Sequence, residues 1–200
     1  MLCLFESLKS VLRCAKCAVL LLSLGALAGC EVASVEPMGG APVSIEAEDW
    51  EGLWVSDDGS NWGVIRVVNA SEGELEIGFV DYNEERFWLA TNAVYIRTAA
   101  TDVAEEKAMF VSMSDEDPNL FIWGLLRKND DHVEIQLPVK SRFRELVEKG
   151  TLPGRVEEGT IVTVMLEELT AEHLALISAT DETLWKPSEP ETTLRRYVSD

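Results

Sequence analysis

The sequence predicts a mainly β fold: an antiparallel β-barrel, or a strongly curved sheet or sandwich, of about 8–10 strands with one short helix near residues 140–149. Most of the chain after residue 49 alternates apolar and polar side chains with a period of two, as strands with one buried face do. Clusters of Gly, Asp, Asn and Ser separate the alternating runs and indicate tight turns. One stretch has helical spacing instead.

Residues 74–81 show the alternation most clearly, because Leu75, Ile77 and Phe79 are separated by polar residues or glycine. Such a run predicts a strand that buries one face. Residues 86–98 form one long bent strand or two short ones. The strands that the pattern predicts ahead of the helix are 62–68, 74–81, 86–98, 108–113, 119–127 and 132–137.

Residues 119–127 differ from the other runs because apolar side chains occupy both sets of alternating positions. This pattern predicts a central strand that is covered on both sides. The next strand, 132–137, returns to simple alternation after a turn at 129–131.

The predicted helix rests on three apolar residues and a glycine. Phe143, Leu146 and Val147 have the i, i+3, i+4 spacing of one helix face, and Gly150 follows them. The spacing predicts a short amphipathic helix over 140–149 that ends in a glycine cap.

After the helix, residues 160–166 predict another strand, and residues 169–178 fit two patterns. Their apolar side chains match a helix face but also the alternation of a strand. We expect a strand, the return arm of a hairpin turned at 170–172, because it lets the sheet continue toward residues 183–186.

The start of the chain has the parts of a secretory signal. Residues 1–29 carry three basic side chains and one acidic one, followed by an apolar run that is too short for the roughly 20 residues of a membrane-spanning helix. The run ends in Leu27, Ala28 and Gly29, directly before Cys30. These four residues resemble the lipobox of bacterial lipoproteins.

That resemblance implies a lipid anchor. The thiol of Cys30 would receive a diacylglycerol, cleavage would fall between Gly29 and Cys30, and the new amino terminus would be acylated, as with palmitate. A thiolate suits this chemistry because it is a far better nucleophile than a hydroxyl. In enteric-type lipoproteins, Asp after the cysteine favours the inner membrane; here the residue is Glu31, so we expect attachment to the outer membrane, facing the periplasm.

Cleavage would change the composition of the chain. Cys3, Cys14 and Cys17 all lie in the removed segment, so the mature chain is expected to have no disulfide, no free thiolate and no cysteine metal site.

Residues 30–48 contain two prolines, two adjacent glycines and no sustained period, which predicts a flexible tether after the lipidated cysteine. Residues 49–200 have the length of a single β-rich periplasmic domain.

The mature chain is strongly acidic. Removal of residues 1–29 takes away three of 17 basic and one of 36 acidic side chains, which leaves 14 and 35 and a formal charge of about −21. Such a charge opposes binding to nucleic acid and to anionic lipid head groups. The predicted contact with the membrane is therefore the lipid anchor.

A second resemblance concerns the barrel. Gly52-Leu53-Trp54 is similar to the Gly-x-Trp motif on the first strand of lipocalins and other calycin barrels. In that family an arginine late in the chain packs over the tryptophan, and Arg195 in the pair Arg195-Arg196 is the candidate. The resemblance implies that Trp54 and Arg195 close the barrel.

The sequence contains no motif that predicts catalysis. It has no Gly-x-Ser-x-Gly elbow, no His-Glu-x-x-His and no phosphate loop. The two histidines, His132 and His173, lie in unrelated elements and are expected to be exposed. We therefore predict no catalytic residue, no metal and no cofactor, and a hydrolase is the least favoured function.

Two functions stay open. The first is a non-catalytic binding module for a small apolar or amphipathic ligand, held in the barrel. The second is a structural or interaction lipoprotein that docks on a periplasmic or outer-membrane protein assembly. A lined cavity favours the first and a filled interior the second. The candidate ligand-lining residues are Phe79, Phe87, Trp88, Phe110, Phe121 and Trp123.

Overall fold

A computed structural model describes residues 32–83, 86–99, 108–114, 120–158, 163–178, 182–187 and 192–198, with the backbone alone for 80–83 and 86–90. The strands are β1 Val32–Ser34, β2 Gly52–Ser56, β3 Trp62–Asn69, β4 Glu74–Asn83, β5 Arg86–Thr98, β6 Met109–Ser114, β7 Phe121–Lys128, β8 His132–Gln136, β9 Gly154–Glu157, β10 Thr163–Leu166 and β11 Thr193–Arg196. The helices are α1 Ala47–Trp50, α2 Lys140–Glu148 and α3 Ala171–Ser178, with 3₁₀ turns at Ala70–Glu72 and Glu182–Leu184.

Eight of the strands form a closed antiparallel barrel. The strands from β2 to β8 each pair with the next one in chain order. β11 pairs with both β8 and β2 and thereby completes the ring. The predicted mainly β fold, as an antiparallel barrel, is confirmed, and the residues at 86–98 form one long strand rather than two.

A three-stranded extension leaves the barrel at β7. β1 pairs antiparallel with β7 and parallel with β10, and β9 pairs with the far side of β10. The first part of β7 therefore has β1 and β6 as neighbours, while its later part pairs with β8. The prediction of a central strand at this place is confirmed.

The interior of the barrel is filled with side chains contributed by all eight strands. Trp54 is its largest buried member, and Ile45 and Trp50 reach it from the segment that precedes β2. The buried residues of this inner core are Ile45, Trp50, Trp54, Ile65, Leu75, Val94, Ile96, Leu126 and Val133. Half-buried residues such as Ile77, Val111 and Ile135 pack against them.

A second core lies outside the barrel wall. The outward side chains of β6 and β7 pack there against β1, β10, the helices and the loop that carries Trp185. The helix α2 forms where predicted: it buries Phe143 and is followed by Gly150 with φ 70°. The buried residues of this outer core are Val32, Met38, Phe110, Trp123, Leu125, Phe143, Leu152, Val164, Leu166, Leu174, Ile177, Leu184 and Trp185.

The prediction of a strand at 169–178 is wrong, because these residues form α3. The hydroxyl of Thr170 accepts a hydrogen bond from the N–H of His173 at 3.3 Å, and the Thr170 N–H donates to Nδ1 of His173 at 3.1 Å. This reciprocal cap starts a helix in the way that a capping box does. Leu174 and Ile177 are then buried on one helix face.

The expected continuation of the sheet at 183–186 is also absent, since that region has the 3₁₀ turn and a single bridge between Pro138 and Trp185.

The described part of the predicted tether is folded. Val32 and Ala33 are buried within β1, and Met38 is 2% exposed. The backbone N–H of Met38 donates to Oγ of Ser112 at 2.8 Å. The prediction missed this because the segment has few apolar residues and no period, although Val32 and Met38 belong to the outer core and Ile45 to the inner core. Residue 30, the lipidated cysteine of the predicted segment, lies outside the described residues.

Gly124→Ala is expected to destabilise the protein by roughly 1–3 kcal/mol. A Cβ at this inward position would lie 2.8 Å from Cγ2 of Ile135 and 2.9 Å from the carbonyl oxygen of Gln136. Gly63→Ala is the matched control and should cost less, because its nearest contacts, at 3.1 Å, are with the flexible side chain of Ile77. Urea unfolding measures both changes. An unchanged midpoint for Gly124→Ala would contradict a filled interior.

Candidate functional site

The aromatic residues predicted to line a ligand site do not share one surface. Phe79 lies on the face of β4 that directs Leu75 into the barrel, whereas Phe110 and Trp123 are members of the outer core. Phe121 also lies on the outward face of β7, in an edge-to-face contact with Tyr95 at 5.7 Å. The side chains of Phe87 and Trp88 lie outside the described residues.

The outward aromatic residues attach the helices to the barrel wall. Trp123 makes edge-to-face contacts with Phe143 at 5.4 Å, with Trp185 at 5.9 Å and with Phe110 at 6.1 Å between ring centroids. Such contacts stabilise packing beyond the area that they bury. The indole N–H groups of Trp123 and Trp185 have no hydrogen-bond partner within the described chain. The cluster is therefore a packed core rather than the wall of a pocket.

One open groove lies beside α1, at the end of the barrel that this helix covers. Its volume is about 600 Å³. Four carboxylates and two cations stand along it, and Nζ of Lys128 lies 5.6 Å from the centre of the Trp50 ring. A wall of this composition does not match an apolar ligand. The charged residues of the groove are Glu46, Asp49, Arg127, Lys128, Asp130 and Glu134.

The arginine beside Trp54 is Arg196 rather than the predicted Arg195. Arg196 is the cross-strand partner of Trp54, and its Nη1 and Nη2 atoms donate to the carbonyl oxygens of Glu48 and Glu51, each at 2.6 Å. Successive residues of a strand point to opposite faces, so Arg195 points outward. There its Nε donates to Oδ1 of Asp57 at 2.6 Å.

This arrangement joins the covering segment to the barrel. Nε1 of Trp54 donates to the carbonyl oxygen of Trp50 at 2.8 Å, while Arg196 holds the two ends of α1. The closed eight-stranded antiparallel barrel is compatible with a lipocalin-like fold. It differs from the lipocalin pattern in one respect: α2, β9, β10 and α3 are inserted between the seventh and eighth barrel strands.

An exposed apolar surface on the outside of β2 and β3 was not predicted from the sequence. Trp62 and Val64 are 48% and 51% exposed on β3. The register places Trp62 beside Val55 and Val64 beside Leu53. We refer to these four residues as the β2–β3 face. The available signal was that β3 carries apolar residues at positions where an outward face is normally polar.

Charged groups of both signs border the β2–β3 face, since Arg195 pairs with Asp57 and Arg66 with Glu76. Asp57 and Asp58 lie in the turn between the two strands, and Glu76 pairs with Arg66 next to Val64. Hydrogen bonds from the Ser56 hydroxyl and then from Ser60 lower the pKa of Asp58, so this carboxylate is ionised at neutral pH. The β2–β3 face therefore combines an apolar centre with a charged border.

The remaining candidate groups do not converge on a catalytic arrangement. Nε2 of His132 lies 3.2 Å from Oε1 of Glu134 on β8, whereas His173 belongs to the cap of α3. Within the described ranges, no three His, Cys, Asp or Glu residues are placed to hold a metal ion. No helix among the described residues is long and apolar enough to span a membrane.

Comparison with protein-family models, with curated proteins and with solved structures gives no match to this chain. The lipobox residues Leu27, Ala28, Gly29 and Cys30 lie outside the described residues, so the predicted lipidation stays a prediction. The likeness to lipocalins is one of barrel architecture.

Arg196→Gln is expected to lower the free energy of unfolding by roughly 1–3 kcal/mol, because it removes two charged hydrogen bonds to backbone carbonyls. Arg195→Gln is the matched control. It removes only an exposed ion pair with Asp57, and such pairs contribute little, so its loss should be clearly smaller. Chemical unfolding of the two variants measures the difference. Equal losses would mean that the two hydrogen bonds from Arg196 to the backbone carbonyls do not stabilise the barrel.

Proposed function

We propose that this protein is a lipid-anchored envelope lipoprotein whose barrel docks on a protein partner through the β2–β3 face. The observation that carries the proposal is the contrast between a filled interior and an exposed apolar exterior. Trp54 and its neighbours fill the barrel, while Trp62 and Val64 stand half-exposed outside it. Contiguous exposed apolar side chains on a soluble domain are typical of interaction surfaces.

The filled interior argues against a carrier of apolar ligands. A drug-sized ligand needs a pocket of roughly 300–1,000 Å³ with mainly apolar walls. In the described part of the barrel, inward glycines at positions 63 and 124 already have the side chains of Ile77 and Ile135 against them. The open groove beside α1 has the volume but not the apolar lining.

The β2–β3 face has the composition of an interface centre. Tryptophan is enriched among the residues that contribute most to binding energy, and it works best when neighbouring groups exclude water. Here the strand register places Val55 opposite Trp62 and Leu53 opposite Val64. The charge of about −21 on the mature chain favours a partner with basic residues around an apolar patch.

The anchor places this interaction at the membrane. Cys30 would carry the lipid, and several acyl chains hold a protein at a bilayer far more firmly than one. With Glu31 following the cysteine, we assign the protein to the periplasmic side of the outer membrane. The proposal gives the domain a binding role and assigns it no catalytic residue, metal or cofactor.

Cys30→Ser is expected to be neither lipidated nor cleaved before residue 30, because a hydroxyl does not replace the thiolate in forming the thioether. Cys17→Ser is the matched control and should be processed as the parent protein is. Intact-mass measurement of the proteins purified from membranes distinguishes them. A parent protein without added lipid mass, or a Cys30→Ser protein that retains it, would contradict the anchor.

A photoreactive amino acid at position 62 is expected to form one adduct of defined mass with a partner in living cells. The same group at position 176, a 38% exposed leucine on α3, should not form it. Adding Val64→Asp to the position-62 protein should reduce the adduct at least about tenfold, because it places a charge in the apolar centre. Equal adducts at both positions, or no effect of Val64→Asp, would contradict docking through this face.

A further inference from the structure

The first strand of the fold begins only two residues after Cys30, the predicted lipidation site. Val32 is the second residue after Cys30, its exposure is 0%, and it lies in β1 between β7 and β10. Two residues of chain extend at most about 7 Å. A lipid on Cys30 would therefore be joined to a buried strand by only about 7 Å of chain.

The folded segment after Val32 has no free length to act as a tether. β1 is hydrogen-bonded on both sides, and the Val35 N–H donates to the carbonyl oxygen of Leu166 at 3.3 Å. Met38 is then anchored to Ser112. A flexible tether of 18 residues would have spanned on the order of 25 Å, but Val32, Met38 and Ile45 fix this segment in the two cores.

The register of the extension shows which end of it is closest to the anchor. Val32 is aligned with Val164 on β10, and Val164 is aligned with Val156 on β9. β1 and β10 run parallel and β9 runs the other way. The start of β1, Thr163 at the start of β10 and Glu157 at the end of β9 therefore lie at one end of the extension.

The segment that leads into this end is less acidic than the rest of the chain. Residues 140–158, which form α2 and β9, contain five basic and four acidic side chains, whereas the rest of the mature chain has nine basic and 31 acidic ones. The carboxylates here are paired: Arg144 contacts Glu158 at 3.4 Å and Arg155 contacts Glu157 at 2.8 Å. Repulsion from anionic head groups is therefore weakest at this part of the surface.

We propose that lipidated Cys30 seats the domain directly on the bilayer, with the end of the extension formed by β1, β10 and β9 against the head groups. This inference rests on the lipid anchor of the proposed function. β3 is four strands from β7 in the ring of eight, on the opposite wall of the barrel. The β2–β3 face is thereby held on the side away from the extension, where a partner protein reaches it.

Two single-cysteine labels test this orientation, because the mature chain has no cysteine besides Cys30. Glu158→Cys places a fluorophore at the end of β9, where the side chain is 74% exposed, and Val64→Cys places it on the β2–β3 face as the matched control. The lipidated full-length proteins are reconstituted into phosphatidylcholine vesicles that contain a lipid with a nitroxide on its head group. Quenching is expected to be several-fold greater at position 158 than at position 64.

A spacer of about 18 Gly and Ser residues between Glu31 and Val32 provides the second measurement. The spacer adds a flexible connection between the lipid and β1. The domain can then move away from the head groups, so quenching at position 158 should fall to the level at position 64. Equal quenching at the two positions without the spacer, or no change with it, overturns the direct seating while the anchor stands. Absence of lipid mass on Cys30 overturns both the seating and the proposed function.

Discussion

The structure depends on one strand, β7, which is apolar on both faces. Its inward face completes the filled interior through Leu126, and its outward face supplies Trp123 and Leu125 to the second core. Because apolar surface is stabilised by removal from water, such a strand must be covered twice. The barrel covers one side, and the helices with the extension cover the other. The elements inserted between β8 and β11 contribute this second cover.

The filled interior determines where function can lie. Barrels of eight strands have space for packed side chains or for one small ligand, and in the described part of this barrel the buried indole of Trp54 takes up part of that space. The docking that we propose therefore uses the outer wall, where Trp62 and Val64 are exposed. The hydrogen bonds of Trp54 and Arg196 join the segment that precedes β2 to the barrel that carries this surface.

The geometry of the ring separates the proposed anchor from the proposed docking surface. The extension grows from β7, and the β2–β3 face lies on the opposite wall. If Cys30 carries the lipid as we propose, its separation of two residues from the buried Val32 would couple the orientation of the domain to the position of the lipid. A long tether would have allowed every face of the barrel to reach the membrane in turn. In this proposal, the folding of the segment after residue 31 determines which surface of the domain stays accessible to a partner.

The sequence by itself determined the strands β3 to β8, the helix α2 and the doubly covered β7, and it predicts the lipobox, because each of these is encoded in local spacing or in a short motif. Only the tertiary structure decided the rest. Residues 171–178 are a helix because the cap at Thr170 and the outer core outweigh a weak alternation. The folding of residues 32–48 and the choice of Arg196 over Arg195 depend on pairing with strands far away in the chain. So does the exposure of the β2–β3 face, since a sequence shows which residues are apolar but not which of them other elements cover.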